Sequence, residues 1–278
     1  MAKKFSPQQF LNRELGQLEF NRRVLAQAED ASIPLLERLK YLCIVSSNLD
    51  EFFEIRVAGL KEQIKLGGAI SVDGLTAAQT LELVRVQAHQ LIARQYQLFN
   101  TDVIPALSEQ GIQFLRRPDW NDAQRAWVKD FFFREVMPVL TPIGLDPAHP
   151  FPRVLNKSLN FAVELQGKDA FGRNSARAIV QAPRVVPRTI PMPSEISGCE
   201  YGFVFLSSIL HAHVGELFSG MEVLGCFQFR VTRNSNLFVD EEEVKNLRLS
   251  RRCGTSRDRR QLLAADCGTV AEGIQSRA

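Results

Sequence analysis

Cysteine is scarce in this sequence, and never set at redox or metal-ligand spacing. The five residues, Cys43, Cys199, Cys226, Cys253 and Cys267, are odd in number and form no CxxC pair. That pattern argues against a disulfide framework or a zinc site and suits reduced thiols. No run approaches the roughly 20 apolar residues of a membrane helix. The start, MAKKFSPQQF, turns polar after two lysines, unlike a signal peptide. A cytoplasmic protein without a transmembrane segment is expected. Also missing are GxxxxGK[ST], GxGxxG and HExxH, so the common phosphate-cradling loops and the zinc-protease helix are excluded. Net charge is small, +3 from 34 basic and 31 acidic residues. The excess sits at one end: residues 250–278 hold six arginines and three acids, leaving 28 of each sign in residues 1–249. A neutral body gives no ground for a nucleic-acid partner.

What is present is a chain of 278 residues with an ordinary hydrophobic fraction of 45%, enough for two modest cores. The first 107 residues read as helices. Leu18, Val24, Leu25 and Ala28 mark the face of a first helix, and Pro34 opens a second with Leu35, Leu39 and Leu42 on one side. Asn48 to Glu51 (NLDE) has the form of a capping box, predicting a third helix along Phe53, Val57, Leu60 and Ile64 that stops near Gly67 and Gly68. A second box, Thr76 to Gln79, starts the longest stripe, Leu81, Val84, Ala88, Leu91 and Leu98, interrupted by Gln95. Such stripes demand burial against one another, as in an antiparallel bundle.

After Pro105 the character changes. A helix from about Asp122 carries Trp127, Val128, Phe131, Phe132 and Val136 and reads as apolar nearly all round, hence buried. Prolines 138, 142, 147, 150 and 152 then predict an extended connection. Leu159, Phe161, Val163 and Leu165 alternate with less apolar residues, the period of a strand. Further strands are expected at Ala178–Gln181, Phe203–Leu206 and Phe227–Val231, with a helix at Ser207–Phe218. The fold class is therefore α+β: an amino-terminal helical domain, 1–107, and a mixed α/β head domain, 108–249, incomplete at its carboxyl end. Residues 250–278 lack Phe, Tyr, Trp and Lys, show no periodicity and do not read as core.

Catalytic chemistry is thin. His211 and His213 are the one close histidine pair, but two helical residues at this spacing point about 200° apart, which defeats shared ligation; they read as partly exposed. His149, among the prolines of PAHPFP, reads as a loop residue and His89 as a solvated one. Asn156–Ser158 matches a glycosylation sequon, without meaning in a cytoplasm. Asp240–Glu243 suits a helix N-terminus.

Several segments carry a resemblance. NREL (Asn12–Leu15), LEFN (Leu18–Asn21) and RVL (Arg23–Leu25) are followed by PLLERLKYLCIVSSNLDEFFEIRVAGL (Pro34–Leu60). LTPIGLDPAHPFP (Leu140–Pro152), NKSLNFAVEL, LFSGMEV and FRVTRNSNLFVDEEE, ending at Glu243, come after in order. Over residues 8–249 the chain resembles the amino-terminal and head domains of polyphosphate kinases. The resemblance implies a four-domain enzyme that passes the terminal phosphate of ATP, with Mg²⁺, through a phosphohistidine to polyphosphate. It places the histidine and most phosphate and metal contacts in two carboxyl-terminal domains that these residues do not include. ATP and Mg²⁺ are thus cofactors of the full-length family, with none expected to bind tightly here, and this stretch alone is expected to be inactive. The resemblance also implies that Asn48 contacts the nucleotide; its capping role is the competing reading. Arg153 and Lys157 face either a polyanion or only solvent. Gly16 and Gln17 stand where relatives usually show serine and tryptophan. From Ser250 the resemblance stops, and the tail reads either as out-of-frame codons or as a divergent but genuine tail. The alternative function is a non-enzymatic module that associates with intact kinase subunits through the helical and head domains.

Overall fold

The structure, a computed structural model, describes residues 5–67, 70–145, 151–167 and 177–233. The chain divides into two compact units at Gly111/Ile112.

The first unit is helical. Asn12 caps α1 (Arg13–Glu29) by accepting from the Leu15 N–H at 3.0 Å. The turn out of α1 is held by Asp30, whose Oδ1 accepts from the Ser32 N–H at 2.8 Å. Pro34 then precedes α2 (Leu35–Glu51). Helical structure does not break at Asn48. It continues through a π-helical segment, Phe52–Val57, into α3 (Ala58–Lys65). The expected capping box and separate third helix are therefore corrected: Asn48 lies in the last turn of α2. The π segment adds a residue to the turn, so the buried positions run Leu42, Val45, Leu49, Phe52, then Val57 and Leu60. Phe52 takes the place expected for Phe53, and Ile64 is exposed.

The Thr76–Gln79 capping box is present, with both reciprocal bonds, and opens α4 (Ala77–Leu98). Gln95 does not interrupt its stripe. It is buried, and its amide donates to Leu42 O at 2.8 Å and Ser46 Oγ at 2.7 Å, tying α4 to α2. Arg38 is likewise buried on α2 and donates to Ala28 O at 2.8 Å. A second π segment, Phe99–Val103, leads to α5 (Ile104–Glu109), where Pro105 sits in the first turn. α1 packs on α2 and α4, and α3 packs on α4.

The second unit carries two sheets. β1 (Ile112–Phe114) pairs parallel with β6 (Tyr201–Phe205), which pairs antiparallel with β5 (Thr189–Met192). The other sheet has the order β2 (Ile143–Gly144), β4 (Arg177–Gln181), β3 (Asn160–Gly167), β7 (Met221–Phe229), all antiparallel. β7 starts well before the expected Phe227. β1, β2, β5 and the short α7 (Ser194–Ser197) were not expected: they are short, and β5 contains Pro191. Helix α6 (Asp122–Phe131), extended by a π segment to Val136, buries Gln124, Val128, Phe132 and Val136. It is one-sided and not apolar all round, since Phe133 is exposed. α8 (Leu206–His213) and a 3₁₀ turn to Leu217 fill the expected helix. Phe132, Phe161, Val180, Val204, Leu206 and Ile209 form the centre of one core. His149, Asp240–Glu243 and residues 250–278 lie outside the described residues.

Candidate functional site

A polar contact breaks the apolar packing where α1 meets the end of α2. Asn21 falls on the buried stripe of α1 between Leu18 and Leu25, at 3% exposure. A buried amide must be hydrogen-bonded or pay its desolvation. Its Nδ2 donates to Val45 O at 3.1 Å, and its Oδ1 accepts from Asn48 Nδ2 at 3.1 Å. The buried residue thus orients the half-buried one. Asn48 spends one amide hydrogen on Asn21, and its inventory leaves a carbonyl oxygen and a second N–H for other use.

Asn48 borders a shallow pocket of about 60 Å³ walled by Gln17, Leu18, Phe20, Asn21, Leu49, Glu51 and Phe52. The walls are half polar and half apolar, and they suit the edge and face of a flat heteroaromatic ring. The volume is far below the roughly 300–1,000 Å³ of clefts that swallow a ligand, so a ring would lie against this wall. Phe52 opens the π segment, and such segments often lie at functional sites. The α2 interior also removes the free N–H donors expected of a helix start, because Asn48's own peptide group is within the helix. What it offers is its side chain alone.

Asn21, Gln17, Phe20 and Glu51 were not read as site residues from sequence. Asn21 had a signal: a polar residue standing on an otherwise apolar stripe at helical spacing. Gln17 also lies on this wall.

The histidines are not brought to this site. His211 packs edge-on against Phe161, with ring centroids 5.1 Å apart, and His213 stacks on Phe132 at 5.2 Å. Both are half-buried, in keeping with the reading of partly exposed rings. Burial lowers both below the ordinary histidine value, helped at His211 by Arg117. His89 is exposed on α4. Among the described residues, no three of His, Cys, Asp or Glu stand close enough to hold a metal ion. Arg153 and Lys157 are exposed in the second unit, Lys157 in a left-handed conformation with φ 53°. No described helix is long and apolar enough to cross a membrane.

Comparison with known proteins identifies the surroundings of this site. The model of the polyphosphate kinase N-terminal domain matches residues 10–115, and that of the polyphosphate kinase middle domain matches residues 123–260. The second match runs past Ser250, into the tail read as out of frame or divergent. A polyphosphate kinase of Neisseria meningitidis serogroup C is 63% identical over 239 residues, 86% of this chain and 35% of the relative. One of Burkholderia vietnamiensis is 58% identical over 241 residues, with the same coverage. The crystal structure of polyphosphate kinase from Porphyromonas gingivalis superposes with a TM-score of 0.71 at 28% identity, covering 83% of this chain and 34% of that one. The chain spans about 35% of the length of the curated relatives it matches. It belongs to the polyphosphate kinase family, matching that family's N-terminal domain over residues 10–115 and its middle domain over residues 123–260.

Proposed function

We propose that this chain supplies one wall of the nucleotide site of an ATP:polyphosphate phosphotransferase, with Asn48 contacting the base. The observation that carries this reading is the Asn21–Asn48 pair: a buried amide holds a half-buried one at the mouth of a half-polar pocket. A carboxamide offers one donor and one acceptor side by side, the complement of the N6–H and N7 of adenine. Guanine presents two acceptors on the same edge, so the wall favours ATP over GTP.

In the complete enzyme, the terminal phosphate of ATP would pass through a phosphohistidine to the end of a polyphosphate chain. That chemistry needs a positioned nucleophile and concentrated positive charge. Among the described residues, neither histidine of α8 is placed as a free nucleophile. His211 and His213 are packed against phenylalanines. On this reading the 278 residues alone bind nucleotide weakly, in the millimolar range, about −4 kcal/mol, and do not turn over.

Titration of the isotopically labelled chain with ATP and with GTP, followed by amide NMR, tests the proposal. ATP is expected to shift resonances of Gln17, Asn21, Asn48 and Phe52, and Asn48→Ala to remove the shifts at unchanged fold. Equal responses to both nucleotides, or an Asn48→Ala chain that responds like the original, would show that Asn48 only locks the two helices together.

A further inference from the structure

A second pocket lies one turn before Gln17, at the start of α1, on the same unit. It has a volume of about 130 Å³ and is walled by Arg13 and Glu14 of α1, Ile55 and Arg56 of the π segment, and Gly59, Leu60 and Gln63 of α3. Three observations set it apart. The first is its guanidinium groups. Elsewhere in the unit Arg22, Arg38, Arg85 and Arg94 are each held by a carboxylate. Arg13 and Arg56 form no ion pair among the described residues, although Arg56 is half-buried. An arginine half out of water without a counter-ion is a poor resting arrangement, and a planar guanidinium is shaped for a phosphate or carboxylate.

The second is Gly59. It lies inside α3, where glycine costs up to about 1 kcal/mol against alanine. Nothing in the backbone demands it: its φ is not positive, and a Cβ built there would meet nothing within 4 Å. What its missing side chain does is leave the pocket floor open. The third is the field. Arg13 and Glu14 are the first two residues of a 17-residue helix, so the positive end of its dipole faces this region. Glu14 opposes an anion here, but two guanidiniums and a helix start outweigh one carboxylate.

We infer that this pocket is a binding site for a phosphate-type oxyanion, gripped between Arg13 and Arg56 over Gly59. The site stands whether or not Asn48 touches a nucleotide, since free phosphate is the probe.

The experiment titrates the labelled 278-residue chain with sodium orthophosphate, and separately with tripolyphosphate, at constant ionic strength set with chloride. The Gly59 amide and the Nε–H of Arg13 and Arg56 are followed by NMR. Saturable shifts at these groups are expected. Arg56→Gln should weaken binding by at least about tenfold, the loss of one charge-assisted pair. Gly59→Glu should abolish it by filling the floor with a like charge while improving helix propensity, so a failure to fold cannot mimic the result. Glu14→Gln should tighten it. Tighter binding of tripolyphosphate than of orthophosphate would assign the site to the end of a chain, and equal binding to a single phosphate group. If neither anion shifts these groups saturably, or if Arg56→Gln and Gly59→Glu bind as the original does, the site does not exist.

Discussion

His211 and His213 show how much a single side chain depends on what it is packed against. Two positions apart on α8, they sit against different aromatic partners, Phe161 on β3 and Phe132 at the end of α6. Helical geometry separated them correctly but did not make either one solvated. Burial disfavours the charged imidazolium and depresses both rings from the ordinary 6.5; Glu216 partly offsets this at His213. The unfolded chain then binds more protons than the folded one once the pH falls to the unfolded value. Their contribution to stability is full above about pH 6.5 and is lost as the pH falls below it. Urea midpoints measured from pH 7.5 down to 5.5 should therefore fall, and His211→Gln with His213→Gln should flatten that slope. A slope unchanged by both substitutions would place the acid sensitivity elsewhere. Asn48 teaches the same lesson from another side. Its motif was plain in the sequence, but its role as a helix cap was not real, because the helix runs on through it.

At the scale of elements, the helices were legible wherever apolar residues recur at 3.6-residue spacing, and misread where the winding changes. The segments Phe52–Val57 and Phe99–Val103 each carry an extra residue per turn, so burial steps by five from Phe52 to Val57 and from Leu98 to Val103. No local propensity announces such a step; packing against neighbouring helices selects it. Two glycines test how far elements tolerate change. Gly16 lies within α1 with open space where a Cβ would go, so Gly16→Ala should stabilise the chain by about 1 kcal/mol. Gly202 lies within β6, where a Cβ would sit 2.3 Å from Ser197 Cβ of α7. Gly202→Ala should cost about 1–3 kcal/mol through forced displacement. Chemical denaturation of both variants checks the opposite signs; a neutral Gly202→Ala would mean that α7 moves away freely.

At the scale of the whole molecule, the chain spans about 35% of the length of its relatives. These residues bring helices and sheets, and the proposed reading leaves the phosphoryl-transfer chemistry outside them. Incubation of the chain with γ-labelled ATP should leave no acid-labile phosphate on it, and mass spectrometry at His89, His211 and His213 should find each unmodified. Label on any histidine would overturn the proposed inactivity. The sequence by itself determined the α+β class, the order of helices before sheets and the family, because periodicity and long ordered motifs are local properties of the chain. Tertiary structure alone decided that α2 runs past Asn48, that Asn21 orients it, that Gln95 and Arg38 are buried, and that Arg13 and Arg56 share a pocket. Each of these rests on residues distant in sequence meeting in space, where desolvation and hydrogen bonding override what a segment would prefer alone.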